Sequence, residues 1–242
     1  MADDHITPSR RTVLGTAGIT IAGMLSSSTA AARQQDGDGT ATPTQANGGG
    51  SREEVMEIID DWEEKQRTET MNTMDKYGVP AGITERRLIW YDAGPWKRIE
   101  IFKNATQHNF PTPHPDFFEQ FIDYQVPTDK ADELTEYDGS VMFERTTGEL
   151  SARCHTEWAN FLAINLAHEL LTDQLSVDEA RRAYAQAVIA KMNGQTPPRT
   201  ESFQFDLPQG PQVDRGEAII QNGEIVMDQG EETETQTQTP TQ

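Results

Sequence analysis

The chain holds a single cysteine, Cys154, among its 242 residues. An intramolecular disulfide is therefore excluded, and the fold has to hold by packing rather than by cross-links. Aromatic residues make up only 7%, and basic residues number 20 against 40 acidic ones, a formal net charge of −20. Lysine is especially scarce. Negative charge spread over the whole chain repels nucleic acid and anionic membrane surfaces, so neither is an expected partner. Nor does any apolar run approach the roughly 20 residues that a membrane-spanning helix needs, so the mature chain is expected to have no such span.

What is present is ordered along the chain. Ser9-Arg10-Arg11-Thr12-Val13-Leu14 resembles a twin-arginine export motif. An uncharged stretch over 13–25, broken by Gly15, Gly18 and Gly23, is too short and too weakly apolar to span a bilayer. The small residues from Ser26 to Ala32 suit a signal peptidase, and cleavage is expected near Ala32. Residues 1–32 thus read as a signal peptide, and the protein as secreted or cell-surface. Residues 33–51, rich in Gly, Thr and Gln, read as a disordered linker. Residues 52–208 read as one domain, and residues 209–242 as an acidic, mostly disordered tail. Abundant Asp, Glu and Thr with little Lys resembles haloarchaeal composition, in which screening at high salt relieves self-repulsion.

Within the domain, Val55, Ile58, Ile59 and Trp62 share a stripe on a helix expected over 52–76. Residues 87–92 and 96–103 read as a hairpin around Ala93-Gly94-Pro95, and 140–146 and 149–154 as a second one around Thr147-Gly148. Helices are expected over 116–124, 129–137 and 155–172, and a last one opens at the capping box Ser176-x-x-Glu179 and runs to Met192. A final strand is expected over 201–207, and Asn222-Gly223 signals a small hairpin. The resulting class is α+β, an antiparallel sheet built from hairpins with helices packed on one face.

Chemistry-bearing residues are few. His108, His114 and Asp116 share a proline-rich segment, and two histidines with a carboxylate suit zinc or a similar ion, although the spacing matches no established motif. His168-Glu169 begins like a zinc-protease helix motif, but Thr172 stands where the second histidine belongs, so His168 is expected to be a partly buried core residue. Cys154-His155 stands at a strand-to-helix junction, where a thiol nucleophile would need an accessible sulfur and a base from another element. Glu144 and Glu149 flank one turn, with Asp138 before it, as acidic pairs do throughout so acidic a chain. Arg86-Arg87 and Lys97-Arg98 flank aromatic Trp90, Tyr91, Trp96 and Phe102, a local positive exception suited to an anion or to charge pairing. Asn104-Ala105-Thr106 is a glycosylation sequon.

Three segments in order, Gly94–Arg98, His108–His114 and Asp138–Arg145, resemble an exported protein family. The resemblance spans about residues 54–207 and implies a shared fold and no activity. Tyr77-Gly78-Val79-Pro80 followed by Leu88-Ile89-Trp90-Tyr91 is faintly similar to small lipoproteins of outer-membrane assembly, which are interaction modules; the helices after Cys154 depart from them. No complete catalytic set is legible. The favoured expectation is a non-catalytic binding or interaction module, its partner an unidentified protein or small ligand and its cofactor unspecified. The alternative is a metal-dependent hydrolase using His108, His114 and Asp116.

Overall fold

The computed structural model describes residues 50–226, apart from 211, 215 and 217. Arg10, Arg11, Ala32, most of the linker and the tail beyond residue 226 lie outside the described residues.

Two helices open the domain, α1 (Arg52–Ile59) and α2 (Glu64–Tyr77). The single helix expected over 52–76 is interrupted at residues 60–63, where the Arg67 guanidinium donates to the carbonyls of Asp60 and Trp62. Those bonds satisfy carbonyls that helix continuation would otherwise engage. The expected stripe is real: Val55, Ile59 and Trp62 are buried.

Six strands then form one antiparallel sheet in the order β1-β2-β3-β4-β6-β5: β1 (Gly82–Ile83), β2 (Arg87–Ala93), β3 (Trp96–His108), β4 (His114–Asp123), β5 (Val141–Glu144) and β6 (Glu149–Cys154). The β2–β3 turn passes through Gly94 at φ 63°, and a Cβ there would stand 2.7 Å from the Tyr77 ring. Both hairpins lie where the alternation placed them. Strand β4 replaces the helix expected over 116–124. Its Phe117, Phe118 and Ile122 are all buried although they point to both faces. A strand buried on both faces reads as a short continuous apolar run, which periodicity does not separate from a helix.

The register puts Leu88, Trp90, Ile99, Ile101, Phe118 and Ala152 on one face. Helix α4 (Glu157–Leu171) lies against β4 and β6 and α2 against β3 and β4, with α3 (Ala131–Tyr137) against β5 and α5 (Val177–Met192) packed on α3 and α4. The α+β class with helices against a sheet is thus observed. Asn160 of α4 donates to Phe118 O and Gln120 Oε1 on β4, locking helix to sheet at 3.0 Å each. The capping box forms: Ser176 Oγ accepts from Glu179 N, and the Glu179 carboxylate accepts from Ser176 N.

Residues 201–207 are not a strand. Asn165 of α4 bonds their backbone instead, donating to Arg199 O and Ser202 O and accepting from Gln204 N, so no neighbouring strand is needed. Phe203, Phe205 and Leu207 still pack on the core. The Asn222-Gly223 turn joins β7 (Ile220–Gln221) to β8 (Glu224–Ile225) as a separate two-stranded sheet, both turn residues at positive φ. Among the described residues no helix is long and apolar enough to cross a membrane.

Candidate metal centre

The site forms on the helix-covered face at one end of the sheet. His108 ends β3, His114 begins β4, and the two pair across the register. Side chains two residues apart on a strand share a face, so Asp116 follows His114 into the same space. Cys154 ends β6 opposite Phe118 of β4, on that face too. The 138–140 turn is tied to the end of β6 by Arg153 N donating to Ser140 O at 3.0 Å. His155 leads into α4.

Three imidazoles stand in a row: the His108 and His114 centroids are 5.0 Å apart, and those of His114 and His155 are 5.1 Å apart. The His114 ring is fixed by its Nδ1, which lies 2.8 Å from Thr112 O. A carbonyl only accepts, so Nδ1 carries the proton and Nε2 is the atom offered to the cluster. That Nε2 faces Asp116 Oδ1 at 3.0 Å and Cys154 Sγ at 3.3 Å. Cys154 Sγ also lies 3.4 Å from His155 Nδ1.

Asp116 is 2% exposed, and its two oxygens differ. Oδ2 accepts from Ser140 Oγ and lies 3.2 Å from His108 Nδ1. Oδ1 is buried and faces no group but His114 Nε2. A buried, unsatisfied carboxylate oxygen is costly unless a proton or a cation serves it. Beyond His108, the Asp138 carboxylate lies 3.6 Å from Nε2.

Two sets of donor atoms lie within 4.8 Å of one another: His108, His114 and Asp116, and separately His114, Cys154 and His155. The first is the triad expected from the proline-rich segment. The second joins two motifs that looked unrelated, because residues 114 and 154 meet only through sheet register.

Electrostatics follow the crowding. Burial works to lower the His114 pKa, but Asp116, Cys154 and the Thr112 carbonyl overcome it and raise the ring to about 10. Burial, with repulsion from His114 and Lys65, lowers His155 to about 4 and leaves it a neutral imidazole. Burial pushes the Cys154 thiol up despite His114 beside it. Burial also raises Asp138, against the Ser140 backbone bond and the pull of His108.

A thiol nucleophile fits poorly. Cys154 is 5% exposed, and Asp116 approaches the same His114 nitrogen as the sulfur, where an orienting carboxylate belongs on the other one. The space beside the cluster is an apolar cavity of about 40 Å³, lined by Thr112, His114, Cys154, His155, Trp158 and Tyr184 among others. His155 also walls an open groove of about 530 Å³ with Lys65, Glu69 and Asn72.

The remaining candidates resolve into structure. Arg98 holds Glu149 with two parallel bonds of 3.0 and 3.1 Å and Glu100 at 2.7 Å, and Lys97 bridges Asp123 and Glu149. Arg87 meets Glu100, so these cations are already engaged by carboxylates. Glu144 pairs opposite Glu149 in the register, away from Asp138 and its histidine. Trp90 and Trp96 are core residues. His168 is half-buried as expected, bonded to Tyr124 Oη at 2.9 Å and stacked on Phe205. Asn104 is exposed, inside β3 rather than in a loop, at the irregularity between Ile101 and Thr106.

No family model, curated protein or solved structure matches the chain.

Proposed function

We propose that this is an exported, non-catalytic binding module whose ligand is a transition-metal ion held at the cluster around His114. The observation that carries the reading is the convergence of donors on His114, with His108, His114 and the buried Asp116 offering ligand atoms within 4.8 Å of one another. His108 completes a set of two imidazoles and one carboxylate, donors that suit zinc and its neighbours and not calcium or magnesium. The Thr112 carbonyl orients the His114 ring in the way outer partners orient metal-bound histidines. Export rests on the order of residues in 1–32. The twin-arginine route carries folded proteins, so the ion would be loaded before the chain leaves the cytoplasm.

A metal-dependent hydrolase would use the same residues and would need a coordination position open to substrate. The adjoining cavity of about 40 Å³ accommodates one or two water molecules. Of the three residues it borders His114 alone, so it offers no open position beside His108 and Asp116, and the holding of an ion is the reading put forward.

Elemental analysis of the mature protein, purified from its own secretion route without added metal, tests this. The expected result is one transition-metal ion per chain, absent from the His114→Ala variant. A folded wild type that carries no ion and takes none up on titration with Zn²⁺, Co²⁺ or Cu⁺ overturns the proposal.

A further inference from the structure

Resting on that metal-binding reading, we propose that His114 is shared by two mutually exclusive seats, and that a thiophilic ion takes the one formed by His114, Cys154 and His155.

The exclusivity is a matter of lone pairs. His114 Nδ1–H is committed to Thr112 O, so only Nε2 can bind an ion, and it has one lone pair. Asp116 Oδ1 approaches it at 3.0 Å and Cys154 Sγ at 3.3 Å, yet the three donors do not fall into one set. One ion is held at a time, with His108 and Asp116 or with Cys154 and His155.

The thiolate seat has the dimensions of a site. Donors of a tetrahedral ion bound at about 2.0–2.3 Å stand about 3.3–3.8 Å apart. Sγ lies 3.3 Å from His114 Nε2 and 3.4 Å from His155 Nδ1, at the short end of that range. The cavity of about 40 Å³ borders all three residues and leaves space for a fourth, water ligand. His155 is also the wall between this cavity and the open groove, so rotation of one side chain gives an ion its way in.

Donor chemistry decides between the seats. A thiolate with two imidazoles favours Zn²⁺ and Cu⁺, whereas two imidazoles with a carboxylate suit harder ions such as Mn²⁺ and Fe²⁺. Binding displaces two protons: those on the Cys154 sulfur and on His114 Nε2 leave to solvent, and each atom donates a pair to the ion. No redox change is involved.

The test uses the mature full chain and its Cys154→Ser, His155→Ala and His108→Ala variants, each titrated with Co²⁺ and, in competition with a chelator of known affinity, with Zn²⁺. Wild type should bind one ion and show a sulfur-to-cobalt charge-transfer band. Cys154→Ser should lose the band and at least tenfold in Zn²⁺ affinity. His155→Ala should keep the band and lose affinity, and His108→Ala should keep both band and affinity. X-ray absorption of the wild-type zinc protein should show one sulfur neighbour, a readout that needs no variant to fold. A shell of nitrogen and oxygen alone, or binding lost in His108→Ala and kept in Cys154→Ser, overturns this inference and leaves the metal-binding reading standing. Two ions per chain refutes the exclusivity. Failure of the wild type to bind Zn²⁺, Co²⁺ or Cu⁺ sinks the metal-binding reading and this inference with it.

Discussion

His114 Nε2 and Asp116 Oδ1 lie 3.0 Å apart, two residues along one strand, and the buried carboxylate oxygen faces no other group. The strand period places both side chains on one face. The Thr112 carbonyl then turns the histidine so that its second nitrogen looks at the carboxylate and at Cys154. The pair is arranged as two donors facing a shared point.

An ion held by His114 ties β4 either to β3 through His108 or to β6 and the lead-in to α4 through Cys154 and His155, so it should stabilise the fold. At a hundred times its dissociation constant, Zn²⁺ should add about 2.7 kcal/mol. For a domain of this size that is a rise in melting temperature of about 5–10 °C. A chelator should reverse the rise, and His114→Ala should not respond to Zn²⁺ at all. Scanning calorimetry of both proteins with and without the ion decides it, and equal melting temperatures for the wild type with and without Zn²⁺ contradict the prediction.

Acid should weaken the ion-pair cluster on the opposite face of the sheet through Glu149. Burial pushes its carboxyl up, but bonds and charges from Arg98 and Lys97 outweigh burial and hold it below the usual carboxylate range. A carboxyl with a lower pKa folded than unfolded binds fewer protons when folded. Its contribution is therefore complete above the unfolded value of about 4.3 and is lost as pH falls through the lower, folded one. Glu149→Gln should cost about 1–3 kcal/mol at pH 7. The gap to wild type should close as pH drops below about 4.3. Urea unfolding across that range measures it, and a gap that stays constant with pH rules out this assignment.

Glu157, at the start of α4, anchors that helix to the rest of the domain. Its Oε1 accepts from Tyr77 Oη at 2.5 Å and Trp96 Nε1 at 2.8 Å, and its Oε2 from Lys76 at 2.5 Å. Glu157→Ala leaves the part-buried donors of Tyr77 and Trp96 without an acceptor, while exposed Lys76 turns to solvent, and should cost about 3 kcal/mol. Tyr77→Phe removes one donor cleanly and should cost about 1 kcal/mol. Chemical denaturation of both variants checks the ratio, and equal losses would show that the acceptor is not shared.

The Ser176–Glu179 box predicts a coupled pair. Ser176→Ala should cost about 1 kcal/mol. The double variant with Glu179→Ala should cost less than the sum of the two singles, because the Ser176 hydroxyl also donates to the Glu179 carboxylate at 2.7 Å and either single variant removes that bond. Strict additivity in a double-mutant cycle would argue against that side-chain bond.

The elements legible in the sequence were those whose signals are local. The hairpins turning at Gly94 and Gly148, the α5 cap at Ser176 and the Val55–Trp62 stripe depend on residues a few positions apart, and they stand where the pattern placed them. Strand β4 was not legible. Phe117, Phe118 and Ile122 are buried by neighbours on both sides, and no local period records that. The break after α1 and the irregular 201–207 segment likewise depend on side chains outside the local pattern, those of Arg67 and Asn165.

The candidate site divides along the same line. Residue types and proximity in the chain were enough to single out His108, His114 and Asp116, because a strand alternates its side chains and a short proline-rich turn returns the chain on itself. Only the tertiary structure brought Cys154 and His155 to the far side of the His114 nitrogen, and Asp138 to His108. Those contacts follow from the pairing of β4 with β6 and from the 138–140 turn folding over the sheet end. Sheet register depends on which strands become neighbours and how their buried faces align. Spacing along the chain carries no record of that choice.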